Sequence, residues 1–190
     1  MARSKADSFN MVNEFHTLAD QPVAGKGAAQ IPDLRAVRFR EHFKIEELIE
    51  GLEALTAKGS VTAQRTIDLL RQAQSKWMEL QESDLDVDLV EYADSLGDLR
   101  YVTDGAAHYY NIDMNKVMPA IHTGNMTRFP RNEEELAATL QKAEEMGVEV
   151  DHHLSEEHGV YVVTRRDTGK VFKNAMHTLP DLTPILGVNG

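Results

Sequence analysis

The sequence predicts an all-α fold, a helical bundle that carries a small α/β insertion near its C-terminus. Apolar residues recur at helical spacing through most of the first 130 residues, whereas alternating stretches rich in Val occur only after Gly147. The chain has 190 residues, of which 42% are hydrophobic, a size and composition that suit one globular domain with a substantial core. We therefore predict a single domain over residues 1–190, with the insertion at about 131–163.

The first two thirds of the chain divide into helices at recognisable stop signals. We expect a short amphipathic segment at 9–18, a Gly- and Pro-rich loop at 20–33, and helices at about 32–57, 62–80 and 88–110. Asp113 can cap a fourth helix, which Pro119 would kink or split. Each long helix has an apolar stripe that we expect to border the core: Ile45, Leu48, Ile49, Leu52 and Leu55 in the first, Ile67, Leu70, Ala73, Trp77 and Leu80 in the second, and Val90, Ala93, Leu96, Leu99, Val102 and Ala106 in the third.

The last third of the chain differs in character. Asn132 followed by three Glu is typical of a helix start, and Gly147 is typical of a helix end. Residues 148–154 and 160–165 alternate and predict two strands, followed at 166–170 by a turn of the kind that joins strands. The tail from Leu179 contains two Pro and is predicted not to be helical.

Charge and composition exclude several classes of protein. The chain has 20 Lys and Arg against 31 Asp and Glu, and this net charge of −11 argues against a nucleic-acid partner because the surface repels phosphate backbones. It has no Cys, which excludes disulfides, thiolate zinc sites and Cys nucleophiles. We find no apolar run that could span a membrane and no apolar stretch after the basic start, so we expect no membrane partner, no signal peptide and a cytoplasmic location.

Two groups of acidic residues lie on the predicted helices. In the first long helix, Glu46, Glu47 and Glu50 are three and four residues apart, so their carboxylates converge on one flank beside the apolar stripe. In the third helix, an arc of about 60° holds three more acids, Glu91, Asp94 and Asp98. Residues 79–98 contain eight acids and no Lys or Arg, so no basic partner lies in the same segment.

Two explanations fit such like-charged faces. Acidic runs are commonly just solvated surface, where each i,i+4 repulsion costs a few tenths of a kcal/mol. Alternatively, the carboxylates hold divalent cations, because Mg²⁺ prefers carboxylate oxygens and keeps several waters for bound phosphates. The apolar residues interleaved on both helices favour the second explanation, since they indicate that these faces border a core.

Several motifs occur together in a familiar order. Glu46-Glu47-Leu48-Ile49-Glu50 is followed by the run from Glu91 to Val102 with Asp94 and Asp98, and then by Thr103-Asp104-Gly105, Asn125-Met126-Thr127-Arg128, Gly169-Lys170-Val171-Phe172-Lys173 and Pro180-Asp181-Leu182. The opening Val12-x-x-Phe15-His16 also fits. In this order the motifs resemble the all-α nucleotide pyrophosphohydrolases, which include the dimeric dUTPases and the phosphoribosyl-ATP pyrophosphohydrolases, and most closely the MazG-like branch common in phages and bacteria.

The resemblance implies a fold and an activity. It implies a MazG-like four-helix-bundle core that hydrolyses a nucleoside triphosphate to the monophosphate and pyrophosphate with two or three Mg²⁺ or Mn²⁺ ions. The implied metal-binding and catalytic residues are Glu46, Glu47, Glu50, Asp94 and Asp98. Glu46 is implied as a further ligand, as a residue that orients a ligand, or as the base that takes the proton of the water. The implied substrate-binding residues are His16, Tyr101, Asn125, Arg128, Lys170 and Lys173.

Two positions depart from the family pattern. Most members have Glu three residues before the second-motif Asp, where this chain has Ser95, and we expect Asp94 or Glu91 to replace it. The basic residue after the Asn-Met motif is commonly Lys and is Arg128 here, which keeps the charge but changes the geometry.

The resemblance also implies a homodimer or homotetramer, because such a short bundle completes its core through a partner copy. We expect a purine substrate, dGTP or GTP, and action in the host cytoplasm if the protein is encoded by a phage. The competing hypothesis is a catalytically inactive acidic bundle that serves as an interaction or dimerisation module.

Some other residues have a simpler interpretation. Trp77 is expected in the core rather than stacked on a base, and His16 lines the nucleotide pocket or simply packs. His152 and His153 point to opposite faces of a strand, so a joint metal site is not expected. Lys170 either contacts phosphate or ends a hairpin in solvent.

Overall fold

The computed structural model describes residues 7–23 and 28–188. Its described part contains seven α-helices and one two-stranded antiparallel sheet, which confirms the predicted all-α class with a small α/β part. The elements are α1 (Ser8–Leu18), α2 (Leu34–Leu55), α3 (Val61–Trp77), α4 (Leu89–Tyr109), α5 (Met114–Met126), α6 (Glu133–Glu145), β1 (Val150–Ser155), β2 (Val160–Arg165) and α7 (Thr183–Leu186). Residues 24–27 of the predicted loop and the start of the chain lie outside the described residues.

Side-chain caps set the start of most helices. Asp7, Asp33, Ser60, Asp113 and Asn132 each accept a hydrogen bond from a backbone N–H in the first turn of the helix that follows. These bonds satisfy N–H groups that have no partner within the helix. The predicted starts at Asp113 and Asn132 are therefore confirmed.

One local prediction is narrowed and two need correction. Helix α5 runs through Pro119 without being split, which leaves a kink as the open alternative of that prediction. The tail forms one helical turn, α7, because Pro184 occupies a first-turn position where its missing N–H costs nothing. Residues 166–170 form a turn that leads from β2 to a single bridge between Thr164 and Val171, whereas β1 and β2 are joined by residues 156–159.

The described chain forms two compact units, and the boundary falls inside α4 after Gly97. In the unit of residues 28–97, α2 packs on α3, with Ile49 and Ile67 buried. Trp77 is half-buried there and its indole N–H donates to the Val37 carbonyl at 3.3 Å, as expected of a packing residue.

The other unit contains residues 7–23 and 98–188 and has two apolar clusters. One cluster joins α1 to the sheet through Leu18, Phe129, Val162 and Val171. The second joins α6 to the sheet through Ala143, Val163 and Phe172. The segment predicted as an insertion thus contributes directly to this core, and the single-domain prediction stays a prediction.

Helix α4 is the least covered of the long helices. Ala107 is its only buried residue, whereas Leu99 is 52% exposed and Val102 is 61% exposed. The apolar stripe predicted to border the core is therefore not covered within one chain. Two residues of the predicted α2 stripe, Leu48 and Leu55, are exposed as well. None of the described helices is long and apolar enough to cross a membrane.

Candidate functional site

The acidic residues of α2 differ in their surroundings. Glu47 and Glu50 are exposed and next to the buried Ile49, whereas Glu46 is half-buried and has an interaction partner. Across the described residues, neither Glu47 nor Glu50 takes part in a hydrogen bond or an ion pair. Other acids are paired: Glu41 binds Lys44, and Glu53 forms an ion pair with Arg71. Lys44 and Arg71 are thus engaged by acids outside the predicted site.

The acidic residues of α4 are also exposed and unpaired. Asp94 and Asp98 are one helical turn apart, and in the described part of the chain neither carboxylate has a hydrogen bond or ion pair. Glu91 lies one turn before Asp94 and is exposed as well. Like charges left unpaired on one face repel, so a cation bound there would relieve the repulsion.

The donor set fits a hard divalent cation by its chemistry, because all five predicted ligands are carboxylates. Within residues 7–23 and 28–188 of one chain, however, no three His, Asp or Glu side chains are placed to hold a metal ion. Four of the predicted ligands, Glu47, Glu50, Asp94 and Asp98, are exposed on their helices. The choice between Asp94 and Glu91 as the replacement at Ser95 stays open.

A hydrogen-bonded triad ties the start of α4 to α2. The Tyr92 hydroxyl donates to Glu41 Oε1 at 2.5 Å, and Lys44 Nζ donates to both Glu41 oxygens at 2.7 and 2.8 Å and to the Tyr92 oxygen at 3.0 Å. Burial and the bond to Glu41 raise the pKa of Tyr92. Burial alone would lower the pKa of Lys44, but the hydrogen bonds to Glu41 and Tyr92 outweigh it and raise that pKa.

The predicted substrate-binding residues lie in several places. His16 is half-buried on α1, with Nδ1 2.9 Å from the Pro22 carbonyl oxygen, and Tyr101 is 80% exposed on α4. Asn125 and Arg128 are half-buried at the end of α5. Lys170 is half-buried in the turn after β2, so it does not end the hairpin in open solvent, and Lys173 is exposed beyond the Val171 bridge.

The absence of a joint metal site at His152 and His153 stays a prediction. His152 and His153 are neighbours in β1, and His153 Nε2 lies 2.5 Å from the Asp20 carboxylate. Sequence reasoning missed other functional candidates: the triad partners Glu41, Lys44 and Tyr92, and the basic surroundings of His177. Glu41 and Lys44 have i,i+3 spacing on α2, but their contact with Tyr92 of α4 and the contacts of His177 join separate elements and have no periodic signal.

A helical chain with Glu-x-x-Glu on one helix and a second acidic motif on another resembles the MazG-like all-α nucleotide pyrophosphohydrolases, although Asp94 and Asp98 depart from the family pattern at Ser95. The family model described as "Phosphoribosyl-ATP pyrophosphohydrolase" matches residues 12–125. The chain belongs to this family, which lies within the MazG-like superfamily. All five predicted metal ligands fall inside the match, whereas Arg128, Lys170 and Lys173 fall outside it.

Membership in the family makes the protein a nucleotide pyrophosphohydrolase, a hydrolase acting on phosphoric anhydrides. No curated protein and no solved structure matches the chain significantly.

Proposed function

We propose that the protein hydrolyses a nucleoside triphosphate to the monophosphate and pyrophosphate with a divalent cation, Mg²⁺ or Mn²⁺. The observation that carries this proposal is the set of unpaired, exposed carboxylates on α2 and α4, in a chain where Glu41, Glu53 and Asp68 of α2 and α3 have basic partners. All of these carboxylates lie within the residues matched by the pyrophosphohydrolase family model.

Glu47, Glu50, Asp94 and Asp98 would hold the cation, with two or three ions in the complete site. The cation supplies the positive charge that a triphosphate needs in a protein of net charge −11, and it makes water more acidic. Glu46 differs from the other four because it is half-buried and already has a partner. That environment suits a residue that orients a ligand or accepts the proton of the water.

The reaction breaks one phosphoric anhydride. The water oxygen bonds to the α-phosphorus, the bond from this phosphorus to the oxygen that bridges to the β-phosphorus breaks, and pyrophosphate leaves. Arg128, Lys170 and Lys173 neutralise the charge on the β- and γ-phosphates. Asn125 has an amide that can hydrogen-bond the sugar or a phosphate, and His16 and Tyr101 would contact the nucleoside.

The substrate preference is proposed to be a purine triphosphate, dGTP or GTP. The test is a screen for pyrophosphate release with the eight common ribo- and deoxynucleoside triphosphates, with phosphoribosyl-ATP included because the family is described by that substrate. Preference for a purine triphosphate supports the proposal. Turnover of phosphoribosyl-ATP alone would contradict the proposed purine triphosphate substrate, but the proposed release of pyrophosphate would still stand.

The central test is removal of single carboxylates. We expect Glu50→Gln and Asp98→Asn to reduce Mn²⁺-dependent pyrophosphate release by about 100-fold or more, since even residues that only support metal ligands are worth about 10–100-fold. The unfolding free energy without metal should stay the same or rise slightly, because a repelling charge is removed. Activity would be followed by pyrophosphate detection, and stability by urea unfolding.

Glu53→Gln is the matched control, because Glu53 is one turn from Glu50 on α2 but is paired with Arg71. It should retain activity and lose at most about 1 kcal/mol of stability, the usual value of an exposed ion pair. Mn²⁺ should also raise the melting temperature of the wild type, because a ligand that binds the native state stabilises it. Full activity in Glu50→Gln, or no effect of millimolar Mn²⁺ with nucleotide, would favour the inactive interaction module.

We also propose that the protein is a homodimer or a dimer of dimers. The exposed apolar stripe of α4 and the exposed Leu48 and Leu55 of α2 support this assembly, because large apolar residues in contiguous stripes are typical of interfaces.

A further inference from the structure

A basic cluster lies near His177 in the C-terminal part of the chain, beyond the residues matched by the family model. Three cations lie close enough to act on the His177 ring: Arg128 after α5, Lys142 in the last turn of α6, and Lys173 after the Val171 bridge. Burial lowers the pKa of His177, and the three cations lower it further. Such a concentration of positive charge stands out in a protein of net charge −11.

Backbone hydrogen bonds hold the cluster together. The Asn174 N–H donates to the Arg128 carbonyl at 3.1 Å, and the His177 N–H donates to the Asn174 carbonyl at 2.9 Å. The Ala175 N–H donates to Thr139 Oγ1 at 3.0 Å, which fixes the same segment to α6. Lys142 is one turn beyond Thr139 on α6, so it lies on the face that meets this segment.

The His177 ring is positioned by Thr127. The Thr127 hydroxyl donates to the Gly124 carbonyl at 2.7 Å, so its oxygen accepts from His177 Nδ1 at 2.8 Å. His177 Nε2 is buried and has no hydrogen-bond partner among residues 7–23 and 28–188. A buried polar atom without a partner costs free energy, and a ligand that pairs with it removes that cost.

We infer that Lys142 and His177 join Arg128 and Lys173 in one binding site for a polyphosphate group, the pyrophosphate portion of the substrate. A polyphosphate carries several negative charges, which would offset the mutual repulsion of the three cations and accept charge-assisted hydrogen bonds from them. The choice of ligand rests on the proposed function. Lys142 and His177 belong to none of the motifs that resemble the family, so the segment containing α6 gains a direct role in binding.

The test is calorimetric titration of inorganic pyrophosphate into the full chain in the presence of EDTA, which removes divalent cations. Wild type should bind pyrophosphate, and Lys142→Gln and His177→Asn should each weaken binding by about tenfold, the usual value of one charge-assisted hydrogen bond. Asn can replace the Nδ1 bond to Thr127 and lacks Nε2. Lys76→Gln is the control, because it removes the same charge from an exposed residue paired with Glu79.

A second readout follows the proton on His177. The groups that act on its ring are Thr127, just after α5, through a hydrogen bond, and the cations Arg128, Lys142 and Lys173 through their charge, while Glu135 of α6 is occupied by the Arg131 N–H and the Asn174 amide. A bound anion reverses the effect of the cations, so pyrophosphate binding near neutral pH should take up a proton. Titration in buffers of different ionisation enthalpy should show this uptake in wild type and not in His177→Asn.

The outcomes separate this inference from the proposed function. Nucleotide hydrolysis by a wild type that binds no pyrophosphate in EDTA would overturn the inference and leave the function standing. Pyrophosphate binding that both variants weaken would support the inference even if hydrolysis were absent. Equal binding by wild type and Lys142→Gln, in a variant that circular dichroism shows to be folded, would also overturn it.

Discussion

At the scale of single residues, Tyr92 has a measurable structural role between two acid-bearing helices. Its hydroxyl donates to Glu41 at 2.5 Å and accepts from Lys44 at 3.0 Å. Tyr92→Phe removes both bonds and leaves the Glu41–Lys44 pair in place. We expect the unfolding free energy to fall by about 1–2 kcal/mol, because hydrogen bonds to charged groups are worth about that much. Urea unfolding would measure the change.

The control for this change is Tyr109→Phe, because Tyr109 is 92% exposed and its hydroxyl has no partner in the described chain. It should alter stability by less than about 0.5 kcal/mol, as surface substitutions usually do. Equal effects of the two substitutions would show that the triad does not stabilise the start of α4.

At the scale of elements, the packing of the C-terminal tail on α5 requires a residue without a side chain at position 124. Gly124 lies against Pro180, and a Cβ added to Gly124 would be 2.8 Å from Pro180 Cδ and 3.4 Å from Pro180 N. Neither the proline ring nor the backbone can move freely, so Gly124→Ala should displace the tail and weaken the bonds of Thr127 to His177 and Thr178. We expect a loss of about 1–3 kcal/mol, typical of overpacking, and faster cleavage of the tail in limited proteolysis.

A Gly-to-Ala substitution at a position where the added Cβ has open space should instead increase the free energy of unfolding. Gly51 lies on α2 with nothing within 4 Å of an added Cβ. Gly51→Ala should therefore stabilise the protein by about 0.4–1 kcal/mol, because Ala restricts the unfolded chain and favours a helix. A tail that resists protease in Gly124→Ala as well as in wild type would contradict the proposed packing.

Local sequence patterns predict where helices begin, but they do not predict contacts between elements that are distant in sequence. Caps such as Asp113 and Asn132 act within a few residues of sequence, so the helix starts they predict agree with the structure. The passage of α5 through Pro119 depends on surrounding turns that periodicity does not describe. The grouping of Lys142 with His177 joins α6 to the tail by contacts distant in sequence, and no local pattern encodes such contacts.

In the candidate site, too, the sequence predicts which residues share a helix face but not which of them have partners. The i,i+3 and i,i+4 spacing of Glu46, Glu47 and Glu50 was enough to select acids that share a helix flank. It could not show that Glu46 has a partner while Glu47 and Glu50 do not. That difference depends on which side chains the neighbouring turns and helices bring near.

At the scale of the whole molecule, the exposure of the α4 apolar stripe in a single chain differs from the burial that the sequence pattern predicts. The pattern predicts that Leu96, Leu99 and Val102 border a core, yet all three are exposed. Burying one such side chain is worth about 1.5–3 kcal/mol, so a stripe of them left in water is unfavourable. A second copy of the chain that packs on α4 would resolve the disagreement and agrees with the proposed dimer.

Leu99→Glu tests this assembly without relying on activity. Since Leu99 is 52% exposed in one chain, the monomer should tolerate Glu, whereas a buried interface would not. Wild type should have the mass of a dimer or tetramer by size-exclusion chromatography with light scattering, and Leu99→Glu should shift to the monomer. Val61→Glu is the control, because Val61 is 83% exposed at the start of α3 and lies outside the apolar stripes of α2 and α4. A monomeric wild type at micromolar concentration, or an unchanged mass in folded Leu99→Glu, would refute an interface through this face.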